Sequence, residues 1–252
     1  MKKIFLLLPF IIVFLLAGCL NTTQEITLNE DGSGTLNNTS DMSAMIGIIK
    51  QMGGDDAAKM GEEAVDTTFS LASLADSISN LSNEEKELLR KGQMHTNMNI
   101  KDSKLISTMS FPFSKPEEID ALNKLSAKVN QETMKQQIGD NPALGNTMQD
   151  APPASSMDDY FTISFSNGLL VKTINKEKYA GVADDEYLKG MKETAAMGLP
   201  MTATYIINLP RPAKKVEGKN VQVSEDKKKI TVKIEIDDFF DDPAKMEFRI
   251  EY

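Results

Sequence analysis

The chain has 252 residues, 40% of them hydrophobic, and a formal net charge of −9. A chain of this length can build a hydrophobic core as one domain or two. The acidity argues against nucleic acid as a partner and against electrostatic docking on anionic lipid, and one cysteine with one histidine excludes an intrachain disulfide, a thiolate cluster and a His-rich zinc site.

Met1-Lys2-Lys3 is a short positive start, followed by an apolar run from Ile4 to Ala17 broken only by Pro9. A charged start, an apolar stretch of this length and a small-residue cleavage site describe a secretory signal peptide. The run falls short of the roughly 20 apolar residues of a transmembrane helix. Leu16-Ala17-Gly18-Cys19 stands directly after the apolar core and resembles the bacterial lipobox. That resemblance implies a diacylglyceryl thioether on Cys19, cleavage before it, and acylation of the new amino terminus by a fatty acid such as palmitate. Stable anchoring needs more than one acyl chain, and this processing supplies it. The expected organisation is a signal peptide over 1–18, a lipidated tether over 19–24 and a single folded domain over 25–252. Processing removes Lys2 and Lys3, so the mature chain is more acidic still, and it consumes the thiol, which leaves no Cys–His nucleophile pair. The expected location is the cell envelope, on the periplasmic or surface side of the outer membrane.

Beyond the tether, Ile26 and Leu28 alternate with polar residues, and Asn29-Glu30-Asp31-Gly32-Ser33-Gly34 supplies a hairpin turn. The acid-and-glycine stretch also suggests a calcium loop, but no bidentate glutamate follows at the required spacing. Met42, Met45, Ile46, Ile49 and Met52 recur at helical spacing, ending at Gly53-Gly54. Thr67–Ala75 reads as a strand and Asn83–Arg90 as a helix. Met94, Thr96, Met98 and Ile100 share one face of a strand. Leu105, Ser107, Met109, Phe111 and Phe113 share one face of the next, across a turn at Lys101–Lys104. Ser114, Pro116 and Glu117 form a capping-box pattern before a helix with Ile119, Leu122, Leu125 and Val129 as its apolar stripe. Residues 131–159 are rich in Gln, Asn, Gly and Pro and read as a mobile insertion.

In the second half, Phe161, Ile163 and Phe165 alternate before the tight turn Asn167-Gly168, and Leu169–Ile174 returns. Asp184 caps a helix running to Met197. Ala203, Tyr205, Ile207 and Leu209 alternate up to Pro210, and Val221 and Val223 make a short strand. Ile230, Val232, Ile234 and Ile236 form another, and Asp237–Asp242 reads as an acidic turn. Met246, Phe248, Ile250 and Tyr252 alternate in a last strand, expected beside Ile230–Ile236. Period-two patterns with one polar face specify antiparallel sheet. The expected fold class is α+β: one curved antiparallel sheet with helices packed on one face.

The lipobox at Cys19, the hairpin Ile26–Gly34, a middle sheet with a helix, and the closing segment of Tyr205–Pro210, Asn220 and the strand after Ser224-Glu225-Asp226 together resemble the LppM-type lipoprotein domain. The resemblance implies that architecture and anchoring, no catalytic signature, and an association with envelope lipids. It assigns no ligand-contacting residue.

Other constellations favour structural readings. Fifteen methionines invite copper(I), with Met94, His95 and Met98 the sharpest set, but on a strand His95 points away from the two methionines. Asp237–Asp242 could hold calcium, but a solvated acidic turn before Pro243 explains it better. The adjacent pairs Asp158-Asp159 and Asp184-Asp185 face different ways. Asp66-Thr67-Thr68 and Asp76-Ser77-Ile78 resemble the O-glycosylation signal of Bacteroidota envelope proteins, and read otherwise as a strand edge and a loop. No phosphate loop, nucleophile elbow or Ser/His/Asp set appears. The expected function is a non-catalytic, membrane-anchored binding or structural module for envelope lipid, glycan or protein, with no cofactor, no metal and no nucleic acid. The alternative is an envelope hydrolase whose carboxylates come together only in the fold.

Overall fold

The computed structural model describes residues 21–44, 46, 64–78, 80–139, 155–196 and 201–252, with the backbone alone for 133–139. Its strands are β1 (Asn21–Leu28), β2 (Gly34–Asp41), β3 (Ala64–Ser70), β4 (Gln93–Asn99), β5 (Lys104–Phe113), β6 (Phe161–Ser166), β7 (Leu169–Ile174), β8 (Thr202–Asn208), β9 (Lys215–Glu217), β10 (Val221–Val223), β11 (Lys229–Glu235) and β12 (Phe248–Glu251). Its helices are α1 (Ala72–Ser77), α2 (Asn83–Arg90), α3 (Ile119–Gly139), α4 (Lys176–Tyr179), α5 (Glu186–Ala196) and α6 (Ile236–Asp241), with short 3₁₀ turns between them. The class is α+β, as the alternation predicts.

The strands form two sheets. An eight-stranded sheet runs β10-β11-β8-β1-β2-β5-β4-β3, and a four-stranded one runs β6-β7-β12-β9. In the larger sheet β1 and β8 pair in parallel and the other neighbours pair antiparallel. The expectation of one sheet is therefore corrected. β12 does not lie beside β11 but pairs with β7 and β9. The physical reason lies at Asp237–Asp242, which is helix and not turn. Ile236 and Phe239 are buried, and Asp238 accepts from the Glu235 N–H and from Lys245, so α6 carries the chain off the large sheet before β12 begins.

Other boundaries also move. Thr67–Ala75 is strand only to Ser70. Leu71, Ala75 and Ile78 are buried at helical spacing, so the apolar stripe belongs to α1. α2 has a true capping box between Ser82 and Glu85. The box expected at Ser114 is absent, because the Ser114 N–H donates to Glu118, one residue further on, and Lys115 is the cap position without a side-chain bond. α3 continues through 131–139, which the composition gives to an insertion, while 140–154 lie outside the described residues. Asp185, not Asp184, caps the start of α5 by accepting from the Leu188 N–H at 3.0 Å.

The β1–β2 hairpin depends on Gly34. A Cβ there would lie 2.0 Å from the Thr27 carbonyl oxygen and 2.5 Å from the Phe113 ring. Gly168, with φ of +94°, makes the β6–β7 turn. One continuous cluster of buried apolar side chains joins both sheets with α3 and α5. Ile119, Leu122 and Val129 of α3 are fully buried, as the stripe predicts. No described helix is long and apolar enough to cross a membrane.

Candidate functional site

A groove of about 190 Å³ lies between the inner face of β1, β2 and β8, helix α3 and the 3₁₀ turn Met157–Tyr160. Its origin can be read from register. Inner-face residues of β1 and β2 pair as Ile26 with Leu36, Gln24 with Asn38 and Thr22 with Ser40. Across β1 from these stand Ile207, Tyr205 and Ala203 of β8. The first row is apolar and buried. In the next two rows, β1 and β2 present only amides and hydroxyls. An apolar helix stripe cannot close on such a surface without stranding polar groups, so α3 stands off there and a groove remains.

Asn38 binds the helix instead of packing against it. Its side-chain amide donates to Ser126 Oγ at 2.9 Å and to Asn123 Oδ1 at 3.3 Å. The Asn123 amide nitrogen is itself buried and donates to no described atom. An unmade bond of this kind costs about 1–3 kcal/mol.

Asp158 forms one wall of the groove and holds a buried cation behind it. Lys172 is 1% exposed, and its Nζ donates to Asp158 Oδ1 at 2.5 Å. The Tyr205 hydroxyl donates to the same oxygen at 2.6 Å. The ammonium also lies 3.9 Å from the Tyr205 ring centroid and 4.9 Å from that of Phe161. Burial pushes the Lys172 ammonium below its ordinary value, and the Asp158 charge opposes that shift. Burial, with the same carboxylate nearby, pushes the Tyr205 phenol well up. Lys172 is on β7 and Tyr205 on β8, so this cluster also ties the two sheets together.

The remaining carboxylates at the groove are engaged too. Asp120 accepts from Lys124 at 2.5 Å, and Asp159 accepts from the Ser156 N–H at 2.9 Å. Asp185 is elsewhere, accepting from the Tyr160 hydroxyl at 2.7 Å.

Of the residues singled out from the sequence as candidate sites, Asp158 and Asp159 line this groove and the others lie apart from it. Cys19, Met45 and Met52 fall outside the described residues. Met94 is buried while His95 is exposed, with Nε2 2.7 Å from Asp66 Oδ1, so the two do not converge. Thr67 and Thr68 are exposed on β3. Ser77 donates to the Ser73 carbonyl within α1, and Asp76 pairs with Arg90. Among Asp237–Asp242, Asp238 binds Lys245, Asp241 binds Lys192 and Asp242 binds Lys219. No cluster of three or more metal-ligating side chains occurs among the described residues. Sequence reasoning missed Gln24, Asn38, Asn123 and Lys172, and it set Asp158 aside as one of an adjacent pair. For Lys172 there was a signal, because Leu170 and Ile174 give it an inward parity on β7.

No family model matches the chain. No curated protein matches it either. Among solved structures, the NMR structure of the folded domain of Mycobacterium tuberculosis LppM aligns over 93% of this chain and 91% of that domain, at 8% identity and a TM-score of 0.37. Likeness at that level establishes neither a shared family nor a shared fold.

Proposed function

We propose that this chain is a bacterial envelope lipoprotein, held to a membrane through lipids on Cys19, whose folded part is a non-catalytic module that binds a ligand in the groove between α3 and the large sheet. The anchor rests on the leader sequence, with its charged start, short apolar core and Leu16-Ala17-Gly18-Cys19. The binding role rests on one observation, the groove of mixed polar and apolar lining built where the inner face of β1–β2 turns from apolar to polar. The state of the carboxylates favours binding over hydrolysis. A hydrolase needs a free acid and base facing one bond. Here Asp158 is held by Lys172 and Tyr205, Asp120 by Lys124 and Asp159 by a backbone N–H.

Mass spectrometry of the protein purified from its native membrane tests both parts. The expected result is an N-terminal peptide that begins at acylated Cys19, with a small molecule released on denaturation. A peptide retaining residues 1–18, or a free Cys19 thiol, would contradict the anchor. A protein that releases nothing would contradict the binding role.

A further inference from the structure

We infer that the groove takes a neutral, hydroxyl-rich ligand of sugar-ring size in preference to acyl chains and anionic headgroups. This rests on the reading of the groove as a binding site and names its ligand class. Three features carry it. The first is the lining. Gln24, Asn38, Ser40, Asn123 and Ser126 bring uncharged amides and hydroxyls together, each able to donate or accept, set among the carbon surfaces of Met157, Ile163 and Tyr205. Sugar rings present that same mixture of hydroxyls and C–H faces. An acyl chain laid there would bury the Gln24 amide without a partner, at about 1–3 kcal/mol.

Charge is the second feature. Asp120, Asp158 and Asp159 border the groove and Lys124 is the one lysine among its lining residues, already bonded to Asp120. Lys172 lies behind Asp158, spent on it. A phosphate or carboxylate entering here would meet net negative charge. The third feature is size. The groove's volume of about 190 Å³ suits one ring, being below the roughly 300–1,000 Å³ of sites for drug-sized ligands.

The test is a nuclear magnetic resonance titration of the full chain in a detergent without a sugar headgroup, following side-chain amide signals. The probes are glucose, galactose, mannose and N-acetylglucosamine in one arm, lauric acid in a second and inorganic phosphate in a third. We expect at least one sugar to shift the side-chain amides of Gln24, Asn38 and Asn123. Gln24→Leu should weaken that binding by about tenfold, the loss of one neutral hydrogen bond, with an unchanged unfolding midpoint confirming that the variant folds. If lauric acid or phosphate shifts those amides and no sugar does, the ligand class is overturned while the groove stands as a binding site. If no probe shifts them, both readings fall.

Discussion

Lys172 is the only charged side chain that is fully buried among the described residues. It stands at an inward position of β7 between Leu170 and Ile174, and the pairing of β7 with β6 and β12 places it opposite Ile163 and Phe248. A lysine buried to 1% exposure survives there because Asp158 and two aromatic rings surround its ammonium. Removing one partner of a buried pair leaves an uncompensated charge and costs about 3–5 kcal/mol, whereas replacing both by apolar groups is often close to neutral. Asp158→Ala should therefore lower unfolding stability by about 3–5 kcal/mol, and Asp158→Leu with Lys172→Met should recover most of it in urea denaturation. Equal losses in both would mean that the pair is not what holds the site. The parity of Lys172 was legible in the sequence. Its partner was not, because Asp158 closes a stretch whose prolines and amides read as loop, and no local pattern shows which charge a distant turn will deliver.

Glu85 gives a second residue-scale test. Its carboxyl is held below the ordinary 4.5 chiefly by the Ser82 backbone N–H, with Lys128 adding. A carboxylate whose pKa is depressed in the folded state contributes stability above its unfolded value and loses it as pH falls through the folded one. Wild type and Glu85→Gln should differ in stability at neutral pH and converge as pH drops below 4.5. Parallel curves would show that the capping box contributes nothing through charge.

Among the elements, hairpins were the most legible and strand partners the least. Turn chemistry acts locally, so Asn29–Gly34 and Asn167-Gly168 announce their hairpins. The choice of sheet for β12 depends on where α6 delivers the chain, and Asp237–Asp242 has charges that suit a turn as well as a capped helix. The start of α1 reads as strand from the sequence because Phe69, Leu71 and Ser73 also fit a period of two. Two substitutions test the elements as observed. Gly34→Ala puts a methyl group against the Thr27 carbonyl and should destabilise by at least about 1–3 kcal/mol, as overpacking does. Phe248→Ala on β12 should cost about 3–5 kcal/mol, because that ring is 3% exposed and stacks 6.0 Å from Phe165 across the smaller sheet. A melting temperature unmoved by Phe248→Ala would make β12 peripheral.

For the whole molecule, the two sheets share one apolar core, and the groove opens where that core gives way to amides and hydroxyls on β1 and β2. The sequence held the polar half of the pattern, but Thr22 and Gln24 read as part of the tether, whereas β1 begins at Asn21, and Asn38 and Ser40 read simply as polar positions of a hairpin. Only the register of β1 between β2 and β8 turns them inward and brings Tyr205 and α3 over them. The proposed leader and the anchor at Cys19, by contrast, rest on sequence alone, because the signals for export and lipidation are short and linear. The central claim is that an anchored protein holds its ligand in this groove. Its most direct test compares the small molecules released on denaturation from wild type and Gln24→Leu, both purified from the native membrane. The account predicts a molecule released by wild type and lost from Gln24→Leu, with acylated Cys19 in both; the same molecule from both proteins in equal amount would contradict it.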